Sequence, residues 1–337
     1  MSERIITYRQ AINEALRQEM RRDSNVIVMG EDIAGAPGRD DSEMQDAWGG
    51  VMKVTEGLIQ EFGAERVRDT PITESGFVGA GVGAAATGLR PVVELMFIGF
   101  MGVTLDQITN QAAKMRYMFG GKAKIPLVIR TTIGAGFRAA AQHSDSPYST
   151  FVHFPGLKVV APATPYDAKG LLIASIRDDD PVIFCENKLL YDSKGPVPED
   201  DYVIPLGRSD VKREGHDVSI VAISRMVHIS LQAAEQLAAS GVDVEVIDLR
   251  CLSPWDEKSI VASIEKTGRL VVVDEDNPRC SMASDVAALA ATRALQFLDA
   301  PVRIITAPHT PAPFSPPLED RYVPDARRVV EAVQSIV

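Results

Sequence analysis

The residues best suited by type and spacing to do chemistry lie in Asp69-Thr-Pro-Ile-Thr-Glu-Ser-Gly76. One carboxylate, Glu74, stands between a turn-forming Pro71 and a run of very small residues from Gly76 to Gly88. An acid with apolar and small neighbours is poorly hydrated, and such a group tends to share a proton or hydrogen bond with whatever it meets. Its expected place is the mouth of a dry pocket. A second candidate is His143, in the polar stretch Ala139-Ala-Ala-Gln-His-Ser-Asp-Ser146 that follows a Gly-rich loop. Imidazole titrates near neutrality, so at a pocket rim it suits proton delivery. His153, His216, His228 and His309 have weaker contexts, and His216 and His228 read as surface residues. The third feature is Ser175-Ile-Arg-Asp-Asp-Asp180, which ends a helix against Pro181. Three acids add to the negative end of the helix dipole. Solvation of an acidic turn would answer that charge, and so would a bound cation.

Several familiar sites are absent or fail. Gly81-x-Gly83-x-x-Ala86 has the loose form of a dinucleotide fingerprint. Its glycines fall inside a predicted helix rather than between strand and helix, where the fingerprint must lie. A small-residue helix face that permits close packing is the better reading. No phosphate-cradling Gly-x-x-x-x-Gly-Lys loop, nucleophile elbow or His-Glu-x-x-His zinc helix occurs. Cys185, Cys251 and Cys280 are far apart and odd in number. They read as reduced thiols buried in strands or loops rather than a disulfide framework.

The elements that must position Glu74 and His143 alternate in type. A capping box, Thr7 with Gln10, opens a helix over 8–22, with Ile12, Leu16 and Met20 on one face. Strand 26–29 follows, then a long aperiodic loop over 34–52 and a short helix over 55–62. Helix 75–88 leads to strand 91–97, helix 103–119 to strand 125–131, and a second irregular stretch runs from 134 to 148. Strand 158–161, helix 165–177 and strand 181–186 close the first half. Such alternation predicts a parallel sheet covered on both faces. Residues 191–210, with scattered prolines and acids, read as a linker between a first domain over 1–190 and a second over 211–337. The second alternates likewise, with strands 218–224, 244–249, 270–274 and 302–306 and helices 226–239, 254–266 and 281–298. The fold class is therefore α/β, with two doubly wound domains. From Pro308 the Pro-rich tail should run extended, and a last helix covers 326–336.

Composition fits a folded enzyme subunit. The chain has 337 residues, 45% hydrophobic and 24% charged, with a formal net charge of −11. That charge disfavours nucleic acid as a partner, which needs a basic face. The uncharged stretch Ser75–Leu89 is 15 residues long, short of the roughly 20 needed to span a bilayer. The first residues lack an apolar signal core, so a cytoplasmic, non-membrane protein is expected.

Taken together, the motifs resemble a known family: the beta subunit of the thiamine-diphosphate-dependent component of 2-oxoacid dehydrogenase complexes. The landmarks are Gly30-Glu-Asp, Val54-Thr-Glu-Gly57, the Asp69–Gly76 stretch, Gln142-His-Ser144, Pro155-Gly-Leu-Lys-Val-Val160, Pro165-Tyr-Asp-Ala-Lys-Gly170 and Arg177-Asp-Asp-Asp-Pro181. They cover essentially the whole chain in order. The acetoin branch is resembled most, through Gly38-Arg-Asp-Asp, Asp46-Ala-Trp-Gly-Gly50, Thr132-Ile-Gly-Ala-Gly-Phe-Arg138 and Thr306-Ala-Pro-His-Thr-Pro-Ala-Pro-Phe314. The pyruvate and branched-chain 2-oxoacid versions are the alternatives.

The resemblance implies a transketolase-like pyrimidine-binding domain followed by a transketolase C-terminal-like domain. Glu74 matches the carboxyl that hydrogen-bonds the cofactor's aminopyrimidine and favours its reactive tautomer. Phe100 matches an aromatic that packs on the pyrimidine face, and Ile72 an apolar neighbour. His143 matches a histidine that guides substrate and acyl transfer to a lipoyl group. Leu127, Ser175, Ile176, Asp178 and Asp180 match a monovalent-cation site of potassium type. The diphosphate and Mg²⁺ motif, Gly-Asp-Gly with a later Asn, is absent from this chain and in the family lies on an alpha subunit. The resemblance therefore implies an alpha2beta2 heterotetramer and a lipoyl acyltransferase core as further partner.

Overall fold

The computed structural model describes residues 4–35 and 48–337. The Gly38–Asp41 motif and most of the predicted 34–52 loop lie outside them. The chain begins with β1 (Ile5–Thr7) and α1 (Tyr8–Arg22). The predicted capping box is present, with Gln10 N donating to Thr7 Oγ1 (3.1 Å) and Thr7 N to Gln10 Oε1 (2.9 Å). Then come β2 (Val26–Glu31), α2 (Leu58–Phe62), β3 (Val67–Thr70), α3 (Glu74–Ala86) and β4 (Arg90–Phe97). A 3₁₀ turn (Ile98–Val103) and a π-helix (Asp106–Ala112) lead into α4 (Ala113–Met118). β5 (Val128–Ile133), α5 (Tyr148–Val152), β6 (Lys158–Val160), α6 (Pro165–Arg177), β7 (Val182–Asn187) and β8 (Lys194–Pro196) follow.

The second half contains β9 (Asp210–Arg213), β10 (Val218–Ala222), α7 (Met226–Ala238), β11 (Val244–Asp248), β12 (Cys251–Ser253), α8 (Glu257–Thr267) and β13 (Leu270–Val273). It ends with α9 (Met282–Arg293), β14 (Arg303–Ile305), α10 (Pro316–Tyr322) and α11 (Ala326–Gln334).

The first sheet has seven strands in the order β12-β6-β7-β5-β4-β2-β3, all parallel except β12. The second has five in the order β14-β13-β10-β11-β9, with only β9 antiparallel. Central strands such as Val182–Asn187 are buried at every position, as a sheet covered on both faces requires.

Three expectations need correction. Helix 103–119 is a 3₁₀, π and α succession, because the chain tightens and then widens as it turns away from β4. The 191–210 segment is not structureless: β8 pairs antiparallel with β1 and clamps the N-terminus. The tail is extended only to Ser315, because Pro316 and Pro317 occupy the first helical positions, where a missing N–H costs nothing.

The two halves interlock. β12 belongs to the second half by sequence but pairs with β6 at the edge of the first sheet. The motif Pro165–Gly170 serves this junction. Asp167 is fully buried, accepts the hydroxyl of its helix cap Thr164 while its own amide donates to that hydroxyl oxygen, and its carboxylate accepts Lys212 (2.6 Å) and Arg250 (3.0 Å) from the second half. Lys169, also fully buried, donates to Glu14 and to the carbonyls of Pro198, Glu199 and Asp200. His228 is not a free surface residue. Its Nε2 meets the Ala163 carbonyl at 2.7 Å. Cys185 and Cys251 are buried as expected, whereas Cys280 is exposed. Among the described residues no helix is long and apolar enough to cross a membrane.

Candidate active site

Parallel strands deliver their following loops to one edge, and in open α/β sheets that edge is where ligands bind. Glu74 follows β3, Phe100 follows β4 and His143 follows β5. Glu74 is the first residue of α3 and is half-buried. Its carboxylate finds no hydrogen-bond donor among the described residues. Ile72, two residues earlier, is an apolar side chain 74% exposed. Glu31, at the end of β2, is the neighbouring acid. Burial raises its pKa above the ordinary carboxylate value, and the charges of Asp32 and Glu74 add to the rise.

The aromatic floor is a cluster of three rings. His143 stands edge-on to Phe97 (centroids 4.4 Å apart) and to Phe100 (5.4 Å), and the two phenyl rings are 5.6 Å apart. The turn carrying Phe100 and helix α3 pack on one core that includes Phe77, Ile98 and Ile133. Phe77 lies one turn after Glu74. The sequence-predicted Glu74, Phe100 and His143 thus share one edge and one supporting core.

The second domain holds the His143 loop in place. Glu275 accepts the Ala135 amide (2.7 Å) and the Asn187 side chain (2.8 Å), and Glu319 accepts the Gly136 amide (2.6 Å) and Arg138 (2.8 Å). Gly134, at φ +97°, leaves no room for a side chain. A Cβ there would meet Asn187 Nδ2 at 2.4 Å. Lys188, just beyond β7, is 3% exposed and lies 5.7 Å from the Phe97 ring. Its ammonium finds no hydrogen-bond acceptor in the described structure. Burial lowers its pKa to about 8, against the pull of Glu275, Asp145 and Glu319. Sequence reasoning missed Phe97, Asp145 and Lys188. Only the polar loop around His143 pointed to Asp145, and nothing periodic marks the other two.

The candidate cation residues lie at the opposite edge. Leu127 precedes β5, and Ser175, Ile176, Asp178 and Asp180 close α6. Arg90 donates to the Ile176 and Asp178 carbonyls, both at 2.9 Å. The Leu127 carbonyl accepts Val182 N, and the Ser175 carbonyl accepts Asp178 N. Lys158 binds Asp178, Arg116 binds Asp180, and Arg90 with Lys124 binds Asp179. Four cationic side chains therefore answer the charge at this helix end. Among the described residues no group of three or more His, Cys, Asp or Glu is arranged to hold a metal ion. A cavity of about 1020 Å³ is also on this edge, lined by Tyr117, Leu157, Lys158 and Asp180. It is away from Glu74 and His143.

The comparisons with known proteins fall on this arrangement. Residues 4–194 match the family described as transketolase, pyrimidine binding domain, and residues 207–329 match transketolase, C-terminal domain. The chain is 56% identical to the acetoin:2,6-dichlorophenolindophenol oxidoreductase subunit beta of Bacillus subtilis (strain 168), over 99% of this chain and 98% of that protein. It is 46% identical to the pyruvate dehydrogenase E1 component subunit beta of Rhizobium meliloti (strain 1021), over 98% of this chain and 70% of that protein. The chain belongs to the family of acetoin and 2-oxoacid dehydrogenase beta subunits. Among solved structures, a chain titled split gene transketolase, inactive beta4 tetramer, superposes with a TM-score of 0.74 at 24% identity, covering 98% of both chains, and so has the same fold. The residues present fit one half of the family's cofactor. A carboxylate without a donor, an exposed isoleucine and a ring cluster suit a flat, apolar heterocycle with a ring nitrogen. No Gly-Asp-Gly motif in this beta subunit suits the diphosphate half.

Proposed function

We propose that this chain is the beta subunit of a thiamine-diphosphate-dependent acetoin dehydrogenase, which cleaves acetoin and passes the acetyl unit to lipoamide. The observation that carries the reading is Glu74, a carboxylate with no donor among the described residues, at the same sheet edge as Phe100 and His143. The higher identity to an acetoin enzyme than to a pyruvate enzyme supports the branch. Thiamine diphosphate, when bound, supplies the carbon nucleophile for the substrate ketone. Glu74 holds a proton at the pyrimidine nitrogen, Ile72 and Phe100 exclude water from the ring, and the His143 imidazole receives or delivers protons on the substrate side. General acid–base help of this kind contributes on the order of 10²–10⁴ in rate.

The rest of the site comes from an alpha-type chain, which supplies diphosphate and Mg²⁺ contacts in an alpha2beta2 heterotetramer. A lipoyl acyltransferase core is the downstream partner, and the assembly is cytoplasmic. The test is co-expression with an alpha-type chain and dye reduction with acetoin, pyruvate and branched-chain 2-oxoacids. Acetoin should be oxidised fastest. A clear preference for pyruvate would replace acetoin with the 2-oxoacid reading.

Leu127, Ser175, Ile176, Asp178 and Asp180 belong to the proposal as a monovalent-cation site, with Arg90 and Lys158 as competitors for its oxygens. Replacing potassium by tetramethylammonium at constant ionic strength should lower the thermal midpoint. An unchanged midpoint would leave the four side chains as the whole counter-charge.

A further inference from the structure

Beside the His143 loop lies a cavity of about 410 Å³ that both domains line, with Gln142 and Asp145 from the first and Asn277, His309, Thr310 and Pro311 from the second. Asp145 is half-buried and its carboxylate accepts no hydrogen bond among the described residues. The loop itself is fixed, since Gly134 N donates to the Asp145 carbonyl at 3.3 Å. The carboxylate also lies against the turn that carries Phe100. A Cβ built on Gly99 would come within 3.5 Å of Asp145 Oδ2 and 2.8 Å of the Gln142 carbonyl. Gly99 precedes Phe100, whose ring faces His143. Asn277 Oδ1 is buried without a donor, and so are the hydroxyls of Ser144 and Ser146 on the same loop. Of these, Asp145 and Asn277 line the ligand-sized space with polar atoms that have no partner among the described residues.

Resting on the reading above, we infer that this cavity takes the hydroxyl-bearing half of a neutral hydroxyketone and that Asp145 is the base that removes its hydroxyl proton. The need for such a base follows from bond counting. Thiamine diphosphate, held by Glu74, Ile72 and Phe100, would supply the electron sink at the ketone carbon of a hydroxyketone, and the bond from that carbon to the carbinol carbon must break. Its electron pair stays on the former ketone carbon, and the carbinol carbon leaves as an aldehyde. The aldehyde C=O forms only if the hydroxyl loses its proton, which passes to the Asp145 carboxylate and then to water in the cavity. The step is redox-neutral. A 2-oxoacid breaks the equivalent bond by releasing CO₂ and has no hydroxyl proton to lose, so it needs no base here. An anionic Asp145 also disfavours a substrate carboxylate in this space.

The groups facing Asp145 are Lys188 beyond β7, Asp276 beyond β13, Tyr322 of α10, and His309 and Asn277 across the cavity. His143 is two residues away on the same loop. Burial raises the Asp145 pKa above the ordinary carboxylate value and Lys188 works against that rise. A base must be ionised, so kcat/KM for acetoin should fall toward acid through a limb that belongs to Asp145.

The experiment uses the complex with the alpha-type chain and compares wild type with Asp145→Asn. Acetoin kcat/KM should fall on the order of 10²–10⁴, and its acidic limb should disappear. Pyruvate, if turned over, should be affected less than tenfold. In the complex without cofactor, the infrared carboxyl band lost in Asp145→Asn should titrate at the same pH as the wild-type acidic limb. Equal losses with acetoin and pyruvate, an unchanged limb, or a band that titrates elsewhere would each overturn the assignment. A wild-type complex that oxidises neither acetoin nor a 2-oxoacid would instead sink the functional reading beneath it.

Discussion

Glu74 illustrates how much one residue's role depends on what its own chain withholds. The carboxylate is half-buried, has no hydrogen-bond donor among the described residues, and stands near the acid Glu31. Such a group is costly unless something outside the chain pairs with it. Glu74→Ala should therefore abolish turnover in the assembled enzyme while assembly survives, as checked by dye reduction and size-exclusion chromatography. Retention of more than about a tenth of the rate, a loss of only ~1.4 kcal/mol, would remove Glu74 from its role. His143 is placed differently, against two phenyl rings. His143→Ala should depress acetyl transfer to lipoamide more than reduction of an artificial dye. Equal losses in the two assays would contradict a transfer role. That Glu74 and His143 stand in unusual local settings was legible from their own stretches of sequence, whereas their shared sheet edge was not, since β3 before Glu74 carried no mark. Lys188 and Phe97 were not, since their importance lies in a three-dimensional stack that no spacing encodes.

Helix α3 carries the argument at the scale of elements. Its small residues do two different things. Gly81 faces inward, where a Cβ would sit 2.6 Å from Val93 Cγ2 and 3.4 Å from Leu127 Cδ1. Gly83 faces outward, with nothing within 4 Å. The same substitution should therefore have opposite signs at the two sites. Gly83→Ala should stabilise the isolated chain by up to about 1 kcal/mol through helix propensity. Gly81→Ala pushes on a buried, stiff valine, and overpacking costs about 1–3 kcal/mol, enough to outweigh that gain. Denaturant midpoints of the two variants check this, and equal shifts would refute the packing role of Gly81. The sequence located α1 through a periodic pattern with a capping box and α6 through a Thr cap and Pro165, whereas α3, which has no capping bond, was located within two residues by its small-residue run alone. Periodicity mistook the 103–119 region for one helix, since the same residues satisfy 3₁₀, π and α turns and only the approach to β4 decides among them. It also assigned Cys251–Ser253 to no strand, because that strand's partner, Val160, is far away in sequence.

At the scale of the whole molecule, the junction between the halves is electrostatic as well as hydrogen-bonded, and this gives it a pH dependence. Tyr148 and Ser149 of α5 donate to Asp274 and Asp276, the latter contact at 2.7 Å. Asp276 is 5% exposed. Burial raises its pKa to about 7, with Asp274 adding to the rise and Ser149 opposing it. An unfolded aspartate titrates near 3.9. Between those values the folded chain holds a proton that the unfolded chain has lost, so the contribution of Asp276 to stability is fully present below about pH 4 and is lost as pH rises through about 7. Asp276→Asn keeps an acceptor for Ser149 and removes the charge. Its stability should match wild type near pH 4 and exceed it at about pH 8, by a few degrees in thermal midpoint. The His143 loop sits on this junction through Glu275 and Glu319, so the sharper unfolding of wild type at alkaline pH should also release the fixed Gly134–Arg138 segment. Amide exchange at Ala135 and Gly136 should accelerate with pH in wild type beyond the intrinsic chemical rate and less so in Asp276→Asn. Identical pH dependence in the two proteins would mean that the halves are held by packing and backbone pairing alone, with Asp276 a bystander.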